Sequence, residues 1–146
     1  MRSTSMRLAI IALAASAAAL SAAAVVAKET SPLTTPAPPR GTGLPSGQCF
    51  RAHDIRNHII ADNNTLLINV AGKDTYRVTM NGACLAGAMP SDPIITREPP
   101  GSSIICKPID MDIAISKGGF GQQCLIDSIV KMSPEEVAAL PKKLKP

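Results

Sequence analysis

Asp110, Asp112 and Asp127 are the strongest candidates for chemistry in this 146-residue chain. Asp110 and Asp112 stand two apart in a stretch (109–115) where Ile109, Met111, Ile113 and Ile115 alternate with acidic or small residues. On a strand that spacing turns both carboxylates to one side, with Asp127 available from the next strand. Clustered carboxylates can hold a calcium ion or act as general acid and base. The plainer reading is a wet sheet face, which alternation alone predicts, and it is the stronger of the two. No EF-hand loop accompanies them, and Asp62-Asn63-Asn64 reads as a turn.

The other reactive side chains form no recognisable catalytic set. His53 and His58 are the only histidines; five apart around an expected strand, they point to opposite faces and cannot share a metal. Neither falls in an HxH or HExxH pattern. Asp54 makes an acid–base pair with His53 only if the fold brings the two into hydrogen-bond reach. Gly118-Gly119-Phe120-Gly121 has neither a Walker lysine–serine pair nor GxGxxG spacing, and reads as a hairpin loop with Phe120 folded over the sheet edge. Phe50, Tyr76 and Phe120 are the only aromatics, too few for stacking nucleic-acid bases or sugar rings. No cofactor motif is present, so no cofactor is expected.

Cys49, Cys84, Cys106 and Cys124 are read as a framework of two disulfides. Their spacings of 35, 22 and 18 residues supply neither a CxxC redox pair nor zinc ligands close in sequence. A regular meander puts Cys49 and Cys84 at opposite ends, which favours Cys84 with Cys106 and Cys49 with Cys124. All three connectivities stay open at this point.

The elements that must position these residues begin after residue 27. Residues 1–27 have the layout of a secretory signal peptide: Arg2 and Arg7 without an acid, an apolar run, then Val25-Val26-Ala27 where a peptidase cuts. It is too short and too alanine-rich for a stable span, and no later apolar run approaches the roughly 20 residues that a transmembrane segment needs. Export to an oxidising compartment, periplasmic or extracellular, follows, and there the cysteines pair. Losing Arg2 and Arg7 lowers the formal charge from +4 to +2, too little for a nucleic-acid partner held by phosphate contacts. Residues 28–47, with Pro32, Pro36, Pro38, Pro39 and Pro45, read as a flexible, extended linker. Residues 48–141 form the domain. Lys142, Lys143 and Lys145 make 142–146 a basic tail, solvated or touching anionic lipid headgroups.

Within the domain, period-two patterns predict strands over 66–70, 76–80 and 109–115. Residues 55–60 and 124–132 are β-rich with weaker alternation, which suits strands covered on both faces. Short polar links at 61–64 and 71–74 make the first three strands an antiparallel meander. Residues 85–102 form a long proline-bearing loop with a short strand at 94–97. Ser133-Pro134-Glu135-Glu136 starts one short helix, with a serine cap, proline at its first position and a capping-box glutamate. The expected fold is a small all-β antiparallel sandwich or barrel of six to seven strands, with a short C-terminal helix, stapled by disulfides.

The pieces Cys49-Phe50, Asp54-Ile55-Arg56, Tyr76-Arg77, Asn81-Gly82-Ala83-Cys84, Ile105-Cys106 and Gln123-Cys124-Leu125-Ile126-Asp127-Ser128-Ile129, with the ending 132–141, together resemble a family of small exported proteobacterial proteins classed only as a domain of unknown function. That resemblance covers roughly 48–146 and implies a Gram-negative envelope protein with a small β-rich domain. It brings no catalytic residues. Three functions follow as expectations: a non-enzymatic interaction module binding a protein or envelope component; a small-ligand or divalent-metal binder using Asp110, Asp112 and Asp127; and a secreted protease inhibitor presenting Arg97-Glu98-Pro99-Pro100.

Overall fold

The structure, a computed structural model, describes residues 33, 35–90, 92–97 and 103–146. The expected signal peptide and residues 28–32 lie outside the described residues. Strands β2 (Ile55–Ile60), β3 (Thr65–Val70) and β4 (Asp74–Met80) follow β1 (Phe50–Arg51) and form the expected meander, with β3 pairing both neighbours antiparallel. Ala71 and Gly72 both take positive φ, 52° and 72°, which gives the hairpin between β3 and β4 the twist that its strands require. The Ala71 amide donates a hydrogen bond to the Asp54 carbonyl (2.8 Å) and holds that turn against the start of β2.

β5 (Ile94–Arg97) and β6 (Ile104–Ile105) come next, then β7 (Asp112–Lys117), β8 (Phe120–Cys124), β9 (Ile126–Lys131) and helix α1 (Pro134–Ala139). Among the described residues nine strands make three antiparallel sheets, ordered β2-β3-β4-β9, β5-β7-β8 and β1-β6, and none of these closes into a barrel. The count exceeds the expected six to seven for two reasons. The two-residue strands β1 and β6 carry no periodic signal. Residues 120–124, which begin inside the hairpin loop expected at 118–121, form β8; the apolar run 124–132 starts on its last residue, turns at the exposed corner Leu125 and continues as β9, and so crosses from one large sheet to the other. Phe120 is not folded over the sheet edge; it opens β8, paired with Lys117, and is exposed.

One apolar core lies between the two large sheets. Leu66, Ile68, Val70, Tyr76, Val78, Met80 and Ile129 from the four-stranded sheet meet Ile113, Ile115 and Cys124 from the three-stranded sheet. The disulfides join Cys49 to Cys106 and Cys84 to Cys124, which overturns the pairing favoured from the meander. The reason is the pairing of β1 with β6. Phe50 lies opposite Ile105, which sets Cys49 beside Cys106. Cys84 follows β4 just as Cys124 precedes β9, and those two strands are neighbours.

The Pro-rich stretch is not a free linker over its described residues. Gly41 donates to the Asp127 carbonyl (2.7 Å), Ile129 donates to Thr42 (2.9 Å), and Leu44 donates to Cys106 (2.6 Å). Prolines hold this arm extended at little entropic cost, and the Gly41, Thr42 and Leu44 amides find backbone partners. A Cβ at Gly43 would lie 2.7 Å from the Cys106 carbonyl, so only glycine allows that approach. The basic tail also docks, because Leu144 is buried against Leu67, Met132 and Leu140. Among the described residues no helix is long and apolar enough to cross a membrane.

Candidate functional site

Helix α1 and the start of the arm, at Leu33 and Thr35, lie over the outer face of the four-stranded sheet, the side turned away from the main core, while Gly41 and Thr42 run along the edge strand β9. Ser133 accepts from the Glu136 amide (3.2 Å) while Glu136 accepts from the Ser133 amide (2.8 Å), so the expected capping box sets where the helix begins. Met132, Leu140 and Leu144 then pack with Leu67 of β3. Hollows open on both sides of Met132.

The larger holds about 500 Å³ and is lined by Lys73, Asp74, Thr75, Lys131, Met132, Pro134, Val137, Ala138 and Lys145. Three separate parts of the fold deliver its lysines. Lys73 comes from the β3–β4 turn, Lys131 ends β9, and Lys145 follows the last turn of the chain. Lys131 pairs with Asp74 at 2.9 Å, and that hydrogen bond chiefly pushes its ammonium above the usual lysine range. Lys145 donates to the Ala138 carbonyl (3.2 Å). Methyl and methylene groups of Met132, Pro134, Val137 and Ala138 supply the wall.

The smaller hollow, about 270 Å³, is lined by Leu33, Thr35, Arg77, Met132, Glu135, Glu136, Ala139 and Leu140. Arg77 is only 6% exposed and donates through one terminal nitrogen to the Thr35 carbonyl (2.9 Å). Its Nε has no partner among the described residues. The Ser133 amide, then the Thr35 hydroxyl (2.9 Å), and then the Arg77 charge hold the Glu136 carboxyl below the usual glutamate range. Glu135 is likewise lowered, mainly by the Ser133 hydroxyl.

The three aspartates go to different tasks. Asp110 belongs to a 3₁₀ turn (Pro108–Asp110) and not to a strand, which corrects the expected run 109–115. Its carboxylate accepts from the amides of Cys106 (3.1 Å) and Lys107 (2.8 Å). Asp112 begins β7 and accepts from Gln123 (3.1 Å), and Asp127 pairs with Arg40 (3.1 Å). Among the described residues no group of three His, Cys, Asp or Glu side chains could hold a metal. His53 and Asp54 stand 3.8 Å apart, beyond hydrogen-bond reach, while His58 bonds the Asp92 carbonyl at 2.8 Å. Of the proposed inhibitor segment only Arg97 is described, at the end of β5; Glu98, Pro99 and Pro100 lie outside the described residues.

Sequence reasoning missed the lysine-rimmed hollow. Lys73 reads as a turn residue and Lys145 as a solvated tail, and nothing in their spacing joins them. Ser128 and Lys131 do show the spacing of an SxxK motif, yet on β9 residues three apart point to opposite faces.

A family model described as a family of unknown function (DUF6491) matches residues 6–145, and the chain belongs to that family. Neither the curated proteins nor the solved structures yield a match.

Proposed function

We propose that this member of the family is an exported, non-enzymatic binding module, periplasmic or secreted, that takes an envelope component at the lysine-rimmed hollow beside α1. The observation that carries this reading is the hollow itself. Its roughly 500 Å³ falls within the usual range of ligand sites, and it combines an aliphatic wall with three ammonium groups against one carboxylate. The signal-like leader and the two disulfides support export, since such bridges persist in oxidising compartments. The scaffold suits binding, because strands, bridges and capped helix hold the lining residues without a substrate.

The test is native mass spectrometry of the mature protein from periplasm, followed by lysine-directed crosslinking in cells. Extra mass on the folded chain, or crosslinks through Lys73, Lys131 or Lys145, is expected. A bare monomer whose crosslinks all map elsewhere would remove the hollow from consideration. A saturable hydrolase or transferase activity, abolished by one polar substitution, would overturn the non-enzymatic reading.

A further inference from the structure

We infer that the lysine-rimmed hollow binds an anionic amphiphile, with a phosphate or carboxylate head between Lys73 and Lys145 and an alkyl chain along Met132, Val137 and Ala138. This rests on the binding role proposed above and names the ligand's chemistry.

The charges decide the head. Lys131 and Asp74 compensate each other at 2.9 Å, so their pair brings little net charge. Lys73 has no ion-pair partner among the described residues. Lys145 spends one of its three N–H donors on the Ala138 carbonyl, which fixes the ammonium at the rim and leaves two donors free. Two uncompensated ammonium groups on one opening favour an anion, and they repel a cation.

The wall decides the body. The lining holds no aromatic ring, so a nucleobase or sugar would find no stacking surface. Four aliphatic side chains offer dispersion contacts and desolvation to a flexible chain, the environment in which a hydrocarbon is favoured over water. The neighbouring hollow is a poorer seat for an anion, since Glu135 and Glu136 outnumber the single Arg77.

The experiment is calorimetric titration of the mature, disulfide-bonded protein with decyl phosphate below its micelle concentration. Inorganic phosphate and decyl maltoside serve as head-only and chain-only probes. Flotation with phosphatidylglycerol vesicles is run in parallel. Saturable 1:1 uptake of decyl phosphate, at least tenfold tighter than either partial probe, is expected. Lys73→Gln and Lys145→Gln should each weaken it about fivefold, as one near-surface charge is worth about that factor. Ala138→Glu, an exposed helix position that leaves the core untouched, should abolish binding with the melting temperature kept.

Uptake of decyl phosphate identifies a free amphiphile as the source. Lysine-dependent flotation without such uptake identifies a headgroup at a lipid surface, and it also supports the anionic site. Equal binding of decyl maltoside, or binding indifferent to both lysines, would overturn the inference. So would no binding in any arm; if native mass spectrometry still showed extra mass, the binding role would stand and only the ligand class would fall.

Discussion

On the inner face of the four-stranded sheet, Leu66, Ile68, Val78 and Ile129 press against another sheet; on its outer face, Leu67, Arg77, Thr79 and Ser128 are shielded nearly as well, but by an arm and a six-residue helix. The two coverings differ in what they leave behind. Sheet against sheet closes an apolar core, fastened at Cys84–Cys124, while Cys49–Cys106 staples the small β1-β6 pair. The arm brings Pro36, Pro38 and Pro39, which have no N–H to offer. Arg77 Nε, Thr79 Oγ1 and Ser128 Oγ stay buried without partners among the described residues, and Thr79 lies directly opposite Ser128 in the β4–β9 register. Such orphaned groups cost roughly 1–3 kcal/mol each. Both hollows lie on this loosely covered side, so one face carries the stability and the other keeps room for a ligand.

The sharpest way to break that contrast is to release the inner face. Changing Cys84 and Cys124 together to alanine frees a 40-residue loop, worth about 4 kcal/mol in the chain-entropy account. Urea unfolding should show that loss as a lower midpoint. A loss below 1 kcal/mol would mean the inner face holds without its staple.

A pair of substitutions then compares the faces directly. Ile129→Ala removes a fully buried side chain from the inner core and should cost about 2–5 kcal/mol. Arg77→Met replaces a half-bonded buried guanidinium with an apolar chain of similar length, and should change stability by less than about 1 kcal/mol. Glu136 tolerates this because it keeps the Ser133 amide and the Thr35 hydroxyl. If Arg77→Met cost as much as Ile129→Ala, the outer layer would be as stabilising as the core, and the contrast would fail.

The inner face was readable from the sequence, because Leu66, Ile68 and Val70 repeat every second residue, as do Tyr76, Val78 and Met80. The outer face was not. Alternation marks Thr75, Arg77 and Thr79 as wet, whereas the chain that buries them comes from far away. Thr35 reaches Arg77 across 42 residues and Glu136 across 101, and no local pattern records contacts of that range. The strands expected to be covered on both faces were also the wrong ones. β3 and β4 are buried almost throughout, while β2 lies at the sheet's edge and is half-exposed. The capping box was legible because it is local chemistry. Disulfide pairing was not, because two-residue strands decide it. Of the site, the tail lysines were visible as a basic cluster, but their meeting with Lys73 depends on α1 folding back.

The smallest predicted effect concerns how the outer layer responds to acid. Glu136 ties the layer together, accepting from Ser133 of the helix cap and from Thr35 of the arm, beside Arg77 of the sheet. All three favour its charged form, so its folded pKa lies below the unfolded value of about 4.5. A depressed carboxyl stabilises the fold above the unfolded pKa, and that contribution is lost as pH falls through the folded pKa. Denaturation midpoints should therefore be flat near neutral pH and decline below about pH 4.5. Glu136→Gln still accepts one hydrogen bond but cannot titrate, so it should flatten part of this decline. Amide exchange at Ile129 reports the arm separately, because its hydrogen bond ends on Thr42. In the native protein, acid should speed exchange at Ile129 relative to core amides, once the intrinsic pH dependence is divided out. Core amides of β3 and β4 should keep their protection until global unfolding. If Ile129 and the core amides lose protection together, the arm and the core unfold as one unit, and the two faces are energetically the same.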